Sequence, residues 1–471
     1  MYDDGKMVSG DDATGRDLWR TALNAAVVLT ENHRAKGDPA YAELLRVLRV
    51  GSKDKRVWRA VICALRSLQV GSSGDDVLPT NKRKRERINQ AWNLLAKRAA
   101  SRQHAVGADD LSDTSGAMQS KDSVSTSPTS PSMHIHAVAA KTGVPSTQPS
   151  ASPSTPDGTS AASTTPLCTT NERIVIVPRN RDRIKINAAF GRRCIDAVNA
   201  VADPDATWRA RGVLLIDAIF HRFRPYERNP PPYADQWQTA WRRLVSEVDL
   251  GNKYAPILRL IFGKRYMITQ NINISHGVAN GMWAVVRDVR LRDGAEPRWD
   301  VSEGAYRVGA DEVECLIIEY PDKAWNDKKL LDKLPAGHFV LTPDTPQAAA
   351  AGFKQFTYNL CGNIKKFRVT QLPLIQAHAV TGHKSQGQSL PFIVLAALHG
   401  TGSDGRLIWL LRELGWFYTG ASRTKTRDGL RIRSDKLPIE HMQHKRSQLL
   451  KEMRRLEQLH KHTMRLVQPV T

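Results

Sequence analysis

The sequence predicts an α/β protein in which helices flank a parallel sheet, with a small all-β barrel insertion and a disordered interruption. First, short apolar strands run into polar loops and then into helices, as from Ile174–Val177 into residues 184–197. This order is typical of layered α/β folds. Second, residues 282–369 contain short runs of alternating apolar and polar residues, separated by Gly, Pro and Asp clusters. This pattern is typical of a small all-β module. Third, residues 101–170 are rich in Ser, Thr, Pro, Ala and Gly, so burial cannot offset the entropy of ordering them.

Local residue chemistry predicts where the elements begin and end. Asp38 followed by Pro39 is a favourable helix start, and Gly51 is a suitable stop. Further helices are predicted over residues 57–68, 237–248 and 439–466, the last of them basic and amphipathic. The predicted strands cover residues 25–29, 174–177, 315–320, 372–380 and 392–398, and a last strand-and-helix unit begins at Phe417.

The composition points to a polyanionic partner. The 471 residues include 69 Lys and Arg against 47 Asp and Glu, which gives a net charge of +22. Five widely scattered cysteines have no paired spacing, so no metal site or redox couple is predicted. No apolar run is long enough to cross a bilayer. We therefore expect an intracellular protein that binds nucleic acid, with no membrane contact.

Polar residues are concentrated just beyond the apolar strand that ends near Val380. They are Thr381, Gly382, His383, Lys384, Ser385, Gln386 and Gly387. Ligands of open α/β sheets bind beyond the carboxyl ends of strands, and the two glycines let backbone amides approach phosphate oxygens. Lys384 adds charge and Gln386 adds an amide. A phosphate-rich ligand is one interpretation, and a simple polar turn is the other.

A second segment places one arginine among small residues. Tyr418 begins it and Arg423 ends it, and it is predicted to be a strand end that turns into a helix. Arg423 is interpreted either as a surface ion-pair residue or as an arginine finger that stabilises charge on a transferring phosphoryl group.

Taken in order, these segments resemble the closing motifs of the petite-integration-frequency (PIF) family of DNA helicases, related to RecD within superfamily 1. Arg34, after the strand at 25–29, resembles the family's motif IV arginine. Asn280-Gly281 resembles the asparagine-glycine pair that precedes the family's small β-barrel. Residues 381–387 resemble motif V, and Arg423 resembles the motif VI arginine. The resemblance implies a RecA-like helicase domain.

The family's asparagine segment has two possible matches. One is Thr80-Asn81 with Asn89, and the other is Arg179-Asn180 with Asn187. The second follows the better strand and is preferred.

The resemblance also implies roles for individual residues. Arg34 and Arg423 would act on the γ-phosphate of ATP, and Gln388 would contact the nucleotide. Residues that would contact single-stranded DNA are Thr381, His383, Lys384, Ser385, Gln386 and Gly387.

The sequence departs from the family pattern because it contains no Gly-x-x-x-x-Gly-Lys-Ser/Thr loop. Gly5-Lys6 and Gly263-Lys264 do not complete one, and Asp217 at the end of an apolar strand stands alone where a paired acid is needed. We therefore expect ATP and Mg²⁺ to be bound only if a first RecA-like domain is supplied. Asp217 is expected to be structural.

Two functions remain open. The first is a fragment of an ATP-dependent DNA helicase that contacts single-stranded DNA or DNA junctions, inactive without its other half. The second is a non-enzymatic nucleic-acid-binding protein derived from a helicase or transposon remnant. The resemblance implies a nuclear protein of DNA repair, recombination or telomere maintenance, with a cytoplasmic or mitochondrial location left open. The Lys82–Arg85 basic cluster is interpreted either as a nuclear signal or as a helix face next to the helicase core.

The predicted organisation has six parts, and the sequence does not predict the oligomeric state. The parts are residues 1–100 and 171–285 of the helicase domain, the disordered insertion 101–170, the β-barrel insertion 286–370, the motif V and VI segment 371–435, and a basic helical tail 436–471.

Overall fold

In a computed structural model, the chain forms two compact units, one of residues 1–101 and 166–471 and the other of residues 102–165. The structure describes residues 35, 37–70, 82–112, 173–223, 231–320, 329, 334–344, 355–411, 415–439, 442 and 447–467. The predicted strand at 25–29, Arg34, Thr80-Asn81 and most of the predicted disordered insertion lie outside these residues. Only the first unit is considered below.

A parallel sheet of four strands is the centre of the fold. Its order is β14 (Ala379–Thr381), β1 (Ile174–Val177), β15 (Ile393–Ala396) and β18 (Leu430–Arg433). Every pairing in it is parallel. The predicted α/β class with a parallel sheet is therefore confirmed.

Helices cover both faces of this sheet, because successive side chains of β1 point to opposite faces and are buried on each. Ile174 and Ile176 pack with helices α1 (Pro39–Val50), α2 (Lys55–Ser67), α3 (Lys82–Ser112) and α7 (Trp416–Ala421). Val175 and Val177 face the other way, towards Ile186 of α4 (Asn180–Asn199). Because both faces are buried, β1 is apolar at every position.

The first helix begins and ends as its sequence predicts. Asp38 accepts a hydrogen bond from the Tyr41 amide at 3.1 Å, which caps the amino end of α1. Gly51 ends the helix with φ +86°, a conformation that L side chains rarely adopt.

The remaining strands form further sheets, and no closed barrel is found among the described residues. A five-stranded sheet has the order β10-β9-β6-β5-β13, and its end strands do not pair with each other in the part of the chain described. Other sheets have the orders β4-β2-β8-β7, β11-β12-β3 and β16-β17. Alternation predicts half-buried strands but not their partners, and here several partners lie outside residues 286–370. A closed barrel therefore stays a prediction.

These sheets use the following elements. The strands are β2 (Val213–Asp217), β3 (Ile219–Arg222), β4 (Ile257–Ile261), β5 (Arg265–Ile268), β6 (Trp283–Leu291), β7 (Arg298–Asp300), β8 (Ala305–Gly309), β9 (Val313–Glu319), β10 (His338–Leu341), β11 (Phe356–Leu360), β12 (Asn363–Thr370), β13 (Leu374–Gln376), β16 (His399–Thr401) and β17 (Leu407–Trp409). The remaining helices are α5 (Trp208–Arg211), α6 (Asp235–Leu244) and α8 (Ser447–Val467), with 3₁₀ turns at Ile274–His276 and Arg427–Gly429. None of the helices within the described ranges is long and apolar enough to cross a membrane.

Three local predictions differ from the structure. The strand predicted over 372–380 is divided into β13 and β14, which belong to different sheets. Residues 418–421, expected to end a strand, lie in helix α7, which starts at Trp416 and packs its aromatic residues in the core of the parallel sheet, and Arg423 lies just beyond the helix. Helix α3 continues to Ser112, so the first residues of the expected disordered insertion are helical.

Asp217 forms two ion pairs within the fold. Its carboxylate lies 2.6 Å from Arg307 and 3.3 Å from Arg242. Burial nevertheless raises its pKa, against the lowering effect of these two arginines.

Candidate nucleic-acid interface

The loop of residues 381–387 leaves the carboxyl end of β14, which is an edge strand of the parallel sheet within the described ranges. On the free side of β14, the Asn187 side chain takes the place of a neighbouring strand. Its amide oxygen accepts from the Ala379 nitrogen at 2.6 Å, and its amide nitrogen donates to the Ala379 oxygen at 3.0 Å and the Gln376 oxygen at 2.8 Å. Asn187 is 2% exposed. The preferred asparagine of the sequence therefore fixes the strand that leads into the loop, whereas Asn89 is exposed on α3.

The loop is a compact turn held by its own hydrogen bonds. The Ser385 hydroxyl donates to the Gly382 oxygen at 2.8 Å, and the Ser385 amide donates to the Thr381 oxygen at 3.2 Å. Gly387 has φ +80° and open space around it. A Cβ on Gly382 would lie 2.5 Å from the Trp416 indole nitrogen, so this position accepts only glycine without a shift.

The predicted DNA-contact residues differ in their exposure to solvent. Thr381 and Ser385 are buried, at 6% and 0%. His383, Gln386 and Gly387 are exposed, and Lys384 is half-buried. The exposed set can meet a ligand directly, whereas the buried pair shapes the turn.

Asn280 and Gly281 lie against this loop. The Lys384 ammonium donates to the Asn280 side-chain oxygen at 2.6 Å, and the Gln388 amide donates to the Gly281 oxygen at 3.1 Å. The Asn280 backbone amide in turn donates to the Asn271 side-chain oxygen at 2.9 Å. Two segments far apart in the sequence thus form one surface.

Lys384 is half-buried and lies near a second cation, Arg183. Partial burial lowers its pKa, and the nearby Arg183 lowers that pKa further. Among the described residues Lys384 has no carboxylate partner, since its recorded contact is the neutral Asn280 amide. Arg183 itself pairs with Glu247 at 2.8 Å. An anion bound at Lys384 would therefore neutralise a positive charge that no carboxylate among the described residues neutralises.

Arg423 contacts the same loop from its buried side. Its guanidinium donates to the Thr419 oxygen at 2.8 Å, the Ser385 oxygen at 3.3 Å and the Ser422 hydroxyl at 2.7 Å. Only 9% of the residue is exposed. The predicted motif VI arginine is thus bound directly to the backbone of the predicted motif V loop.

Helix α1 is anchored to the Arg423 segment. The Tyr41 hydroxyl donates to the Ala421 oxygen at 2.6 Å and lies 2.8 Å from the Thr424 hydroxyl. Burial raises the pKa of Tyr41, so this hydroxyl stays protonated. Arg34 lies outside the described residues, but the helix that follows it is fixed to the segment that carries Arg423.

Some of these contacts have no clear signal in the sequence. Tyr41 is one aromatic residue in an apolar helix stripe, and its partners lie near the other end of the chain. Arg183 looks like an ordinary surface cation until the fold places it at 2% exposure beside Glu247. No group of His, Cys, Asp or Glu is arranged to hold a metal ion within the residues that the structure describes.

The solved structures that this fold matches include Pif1 helicases. For Pif1 helicase from Candida albicans the identity is 16% and the TM-score 0.33, over 61% of this chain and 51% of that chain. For Bacteroides Pif1 bound to ssDNA the identity is 18% and the TM-score 0.31, over 61% and 46%. For Bacteroides Pif1 in complex with ADP-AlF3 and ssDNA they are 17% and 0.32, over 62% and 47%.

The chain therefore spans about half the length of the Pif1 structures that it matches. They belong to the family that the sequence motifs resemble. No protein-family model matches the chain, and no curated protein matches its sequence.

Proposed function

We propose that this chain is the DNA-gripping, second RecA-like part of an ATP-dependent DNA helicase, and that its ligand is single-stranded DNA. One observation carries the proposal. Three motifs that are distant in sequence meet around one loop, through the contacts Lys384 to Asn280, Gln388 to Gly281 and Arg423 to Ser385. A simple polar turn would not require partners from two other segments.

The exposed half of the loop fits a phosphate backbone. His383 and Gln386 offer side-chain donors, and Gly387 leaves space for close approach. Lys384 supplies charge that no carboxylate on the described surface neutralises. Such contacts position a strand without reading its sequence.

ATP and Mg²⁺ belong to this proposal only together with a further domain that provides a phosphate-binding loop. Arg34 and Arg423 would then act on the γ-phosphate, and Gln388 would lie at the nucleotide. For Arg423 this requires release of the Thr419 and Ser385 oxygens, which now hold its guanidinium. Nucleotide binding would thereby be coupled to the DNA-contacting loop.

A second candidate is a nucleic-acid-binding protein without turnover. It is favoured by the burial of Arg423, whose guanidinium is already bound by groups of its own chain. In this case the arginine would hold the loop in shape and would contact no nucleotide.

Binding of a labelled single-stranded oligonucleotide, measured by fluorescence anisotropy, tests the proposal. We expect weak binding at low salt that falls steeply as salt rises. Lys384→Gln should weaken it about three- to tenfold and reduce the salt slope by about 1, because one phosphate contact is lost. The matched control is Lys185→Gln, which removes the same charge from an exposed position on α4.

Equal effects of the two lysine changes would show that only net charge matters, and would refute the loop assignment. ATP turnover separates the two candidates. The chain alone should show none above background, and addition of the missing domain should restore turnover that Arg423→Ala abolishes. Strong DNA-stimulated turnover by the chain alone, lost on Arg423→Ala, would contradict the requirement for a further domain.

A further inference from the structure

The three-stranded sheet β11-β12-β3 has two chemically different faces. Its strands are antiparallel, with Phe367 opposite Phe356 on one side and Arg222 on the other. Phe220 and Phe367 lie on one face, with ring centroids 5.3 Å apart. Trp241 of α6 covers that face, 5.3 Å from Phe367. Alternate residues must therefore point to the opposite face.

The opposite face brings an aromatic ring and two cations together. Phe223 follows β3 directly and is half-buried. The Lys366 ammonium lies 5.8 Å from its ring centroid, and the Arg368 guanidinium lies 5.6 Å from it. His221, directly opposite Arg368, lies 2.9 Å from the Thr370 hydroxyl on the same face.

Charge on this sheet is of one sign. Strands β3, β11 and β12 contain no Asp or Glu. Their basic residues on the Phe223 face are Lys366 and Arg368, because Arg222 and Lys365 alternate to the face of Phe367. Lys366, Thr357 and Asn359 are exposed, and in the described part of the chain Lys366 has no ion-pair partner. This face therefore presents positive charge beside polar side chains and an aromatic ring.

This combination suits unpaired nucleotides more than a duplex. A sheet face with an aromatic ring stacks a base, because every base has a π-face, while neighbouring cations meet the phosphates. In a duplex the base faces are already stacked on each other. The contacts of Lys366 and Arg368 with the Phe223 ring also keep this ring next to the two positive charges.

We propose that this face, centred on Phe223, Lys366 and Arg368, is a second single-strand contact that stacks one base on Phe223. The inference rests on the proposed function in taking single-stranded DNA as the ligand. It is connected to the first contact through the chain, because β12 continues through Gln371 towards β13, β14 and the 381–387 loop. Gln371 fixes this connection by donating to the Ala255 oxygen at 2.9 Å.

Phe223→Leu tests the proposal, since it keeps an apolar side chain and removes the ring. The probe is an oligo-dT strand, with the same measurement on a duplex. We expect about a tenfold loss of affinity for the single strand and little change for the duplex. Phe223→Trp should restore binding. The matched control is Trp299→Leu, which removes another ring beside an arginine, with Arg211 4.9 Å from its centroid.

Each outcome has one meaning. Unchanged single-strand binding by Phe223→Leu, with an unchanged urea unfolding midpoint, would overturn the stacking site. Equal losses for single strand and duplex, or equal losses for Phe223→Leu and Trp299→Leu, would also overturn it. The proposed function fails separately, when Lys384→Gln has no more effect than Lys185→Gln. Photocrosslinking of a 5-iodouracil strand provides a second measurement, with the crosslink expected in the peptide that contains Phe223.

Discussion

Replacement of Asn187 by leucine should release strand β14, which leads into the 381–387 loop. Leucine has a similar size but cannot form the three hydrogen bonds to Ala379 and Gln376. Ala379 is fully buried, so its amide and carbonyl would lose their partners without gaining water. At about 1 kcal/mol for each hydrogen bond, the free energy of unfolding should fall by about 3 kcal/mol.

Urea denaturation measures this loss, and hydrogen exchange at the Ala379 amide shows whether it is local. We expect faster exchange there even in conditions where the rest of the parallel sheet stays protected. Single-strand binding should also weaken, since the loop begins two residues later. The matched control is Asn89→Leu, which changes an exposed asparagine on α3 and should alter stability by less than about 0.5 kcal/mol.

Asn187→Asp separates hydrogen bonding from packing. A carboxylate can still accept from the Ala379 amide, but it would face the Gln376 and Ala379 carbonyl oxygens where the amide nitrogen now donates. We expect it to be more destabilising at pH 7 than at pH 4, where protonation supplies a donor. Stability of Asn187→Leu within about 0.5 kcal/mol of the parent would refute this account of the edge strand.

Two further substitutions test packing and burial near the loop. Gly382→Ala should cost about 2 kcal/mol in urea denaturation, because the new Cβ would lie 2.5 Å from the Trp416 indole nitrogen. Gly37→Ala, with open space around it, should leave the free energy of unfolding nearly unchanged. An equal loss of stability in the two variants would show that Trp416 moves aside without cost. His378→Phe should flatten the pH dependence of stability, since burial first, and then Arg193, Lys264 and Arg433, lower the pKa of His378 to about 4. Because the folded-state pKa is depressed, the free energy of unfolding falls as pH falls from about 6.5 towards 4, here by about 3 kcal/mol. Phenylalanine keeps the stacking on Phe190, whose ring centroid lies 3.7 Å from that of His378. An unchanged pH profile for His378→Phe would contradict this assignment.

The sequence predicted those parts of the fold that have local causes. Asp38 and Gly51 bound α1 because a side-chain cap and a left-handed glycine act within one helical turn. Ile174–Val177 forms β1 because a continuous β-branched run suits a strand buried on both faces. The order of the motifs also indicated which residues belong to one surface, although their contacts came only from the structure.

Elements whose structure depends on distant partners were predicted less well. An apolar run such as 372–380 looks the same whether it is one strand or two. The break between β13 and β14 becomes visible only when Asn187 of α4 binds both sides of it. The strand partners of the expected insertion were not predicted for a similar reason, since β3 and β2 pair with its strands from outside it.

The 381–387 loop connects the two proposed binding events through neighbouring residues. The Lys384 side chain contacts Asn280, on the side proposed for DNA, whereas the Ser385 oxygen accepts from Arg423. Because the loop is a tight turn closed by the Ser385 hydroxyl, Ser385 cannot move without moving Lys384. A nucleotide that drew Arg423 away would release the Ser385 oxygen and leave a buried acceptor without its donor. The turn would then relax by shifting, and this shift would alter the grip of Lys384 on a phosphate.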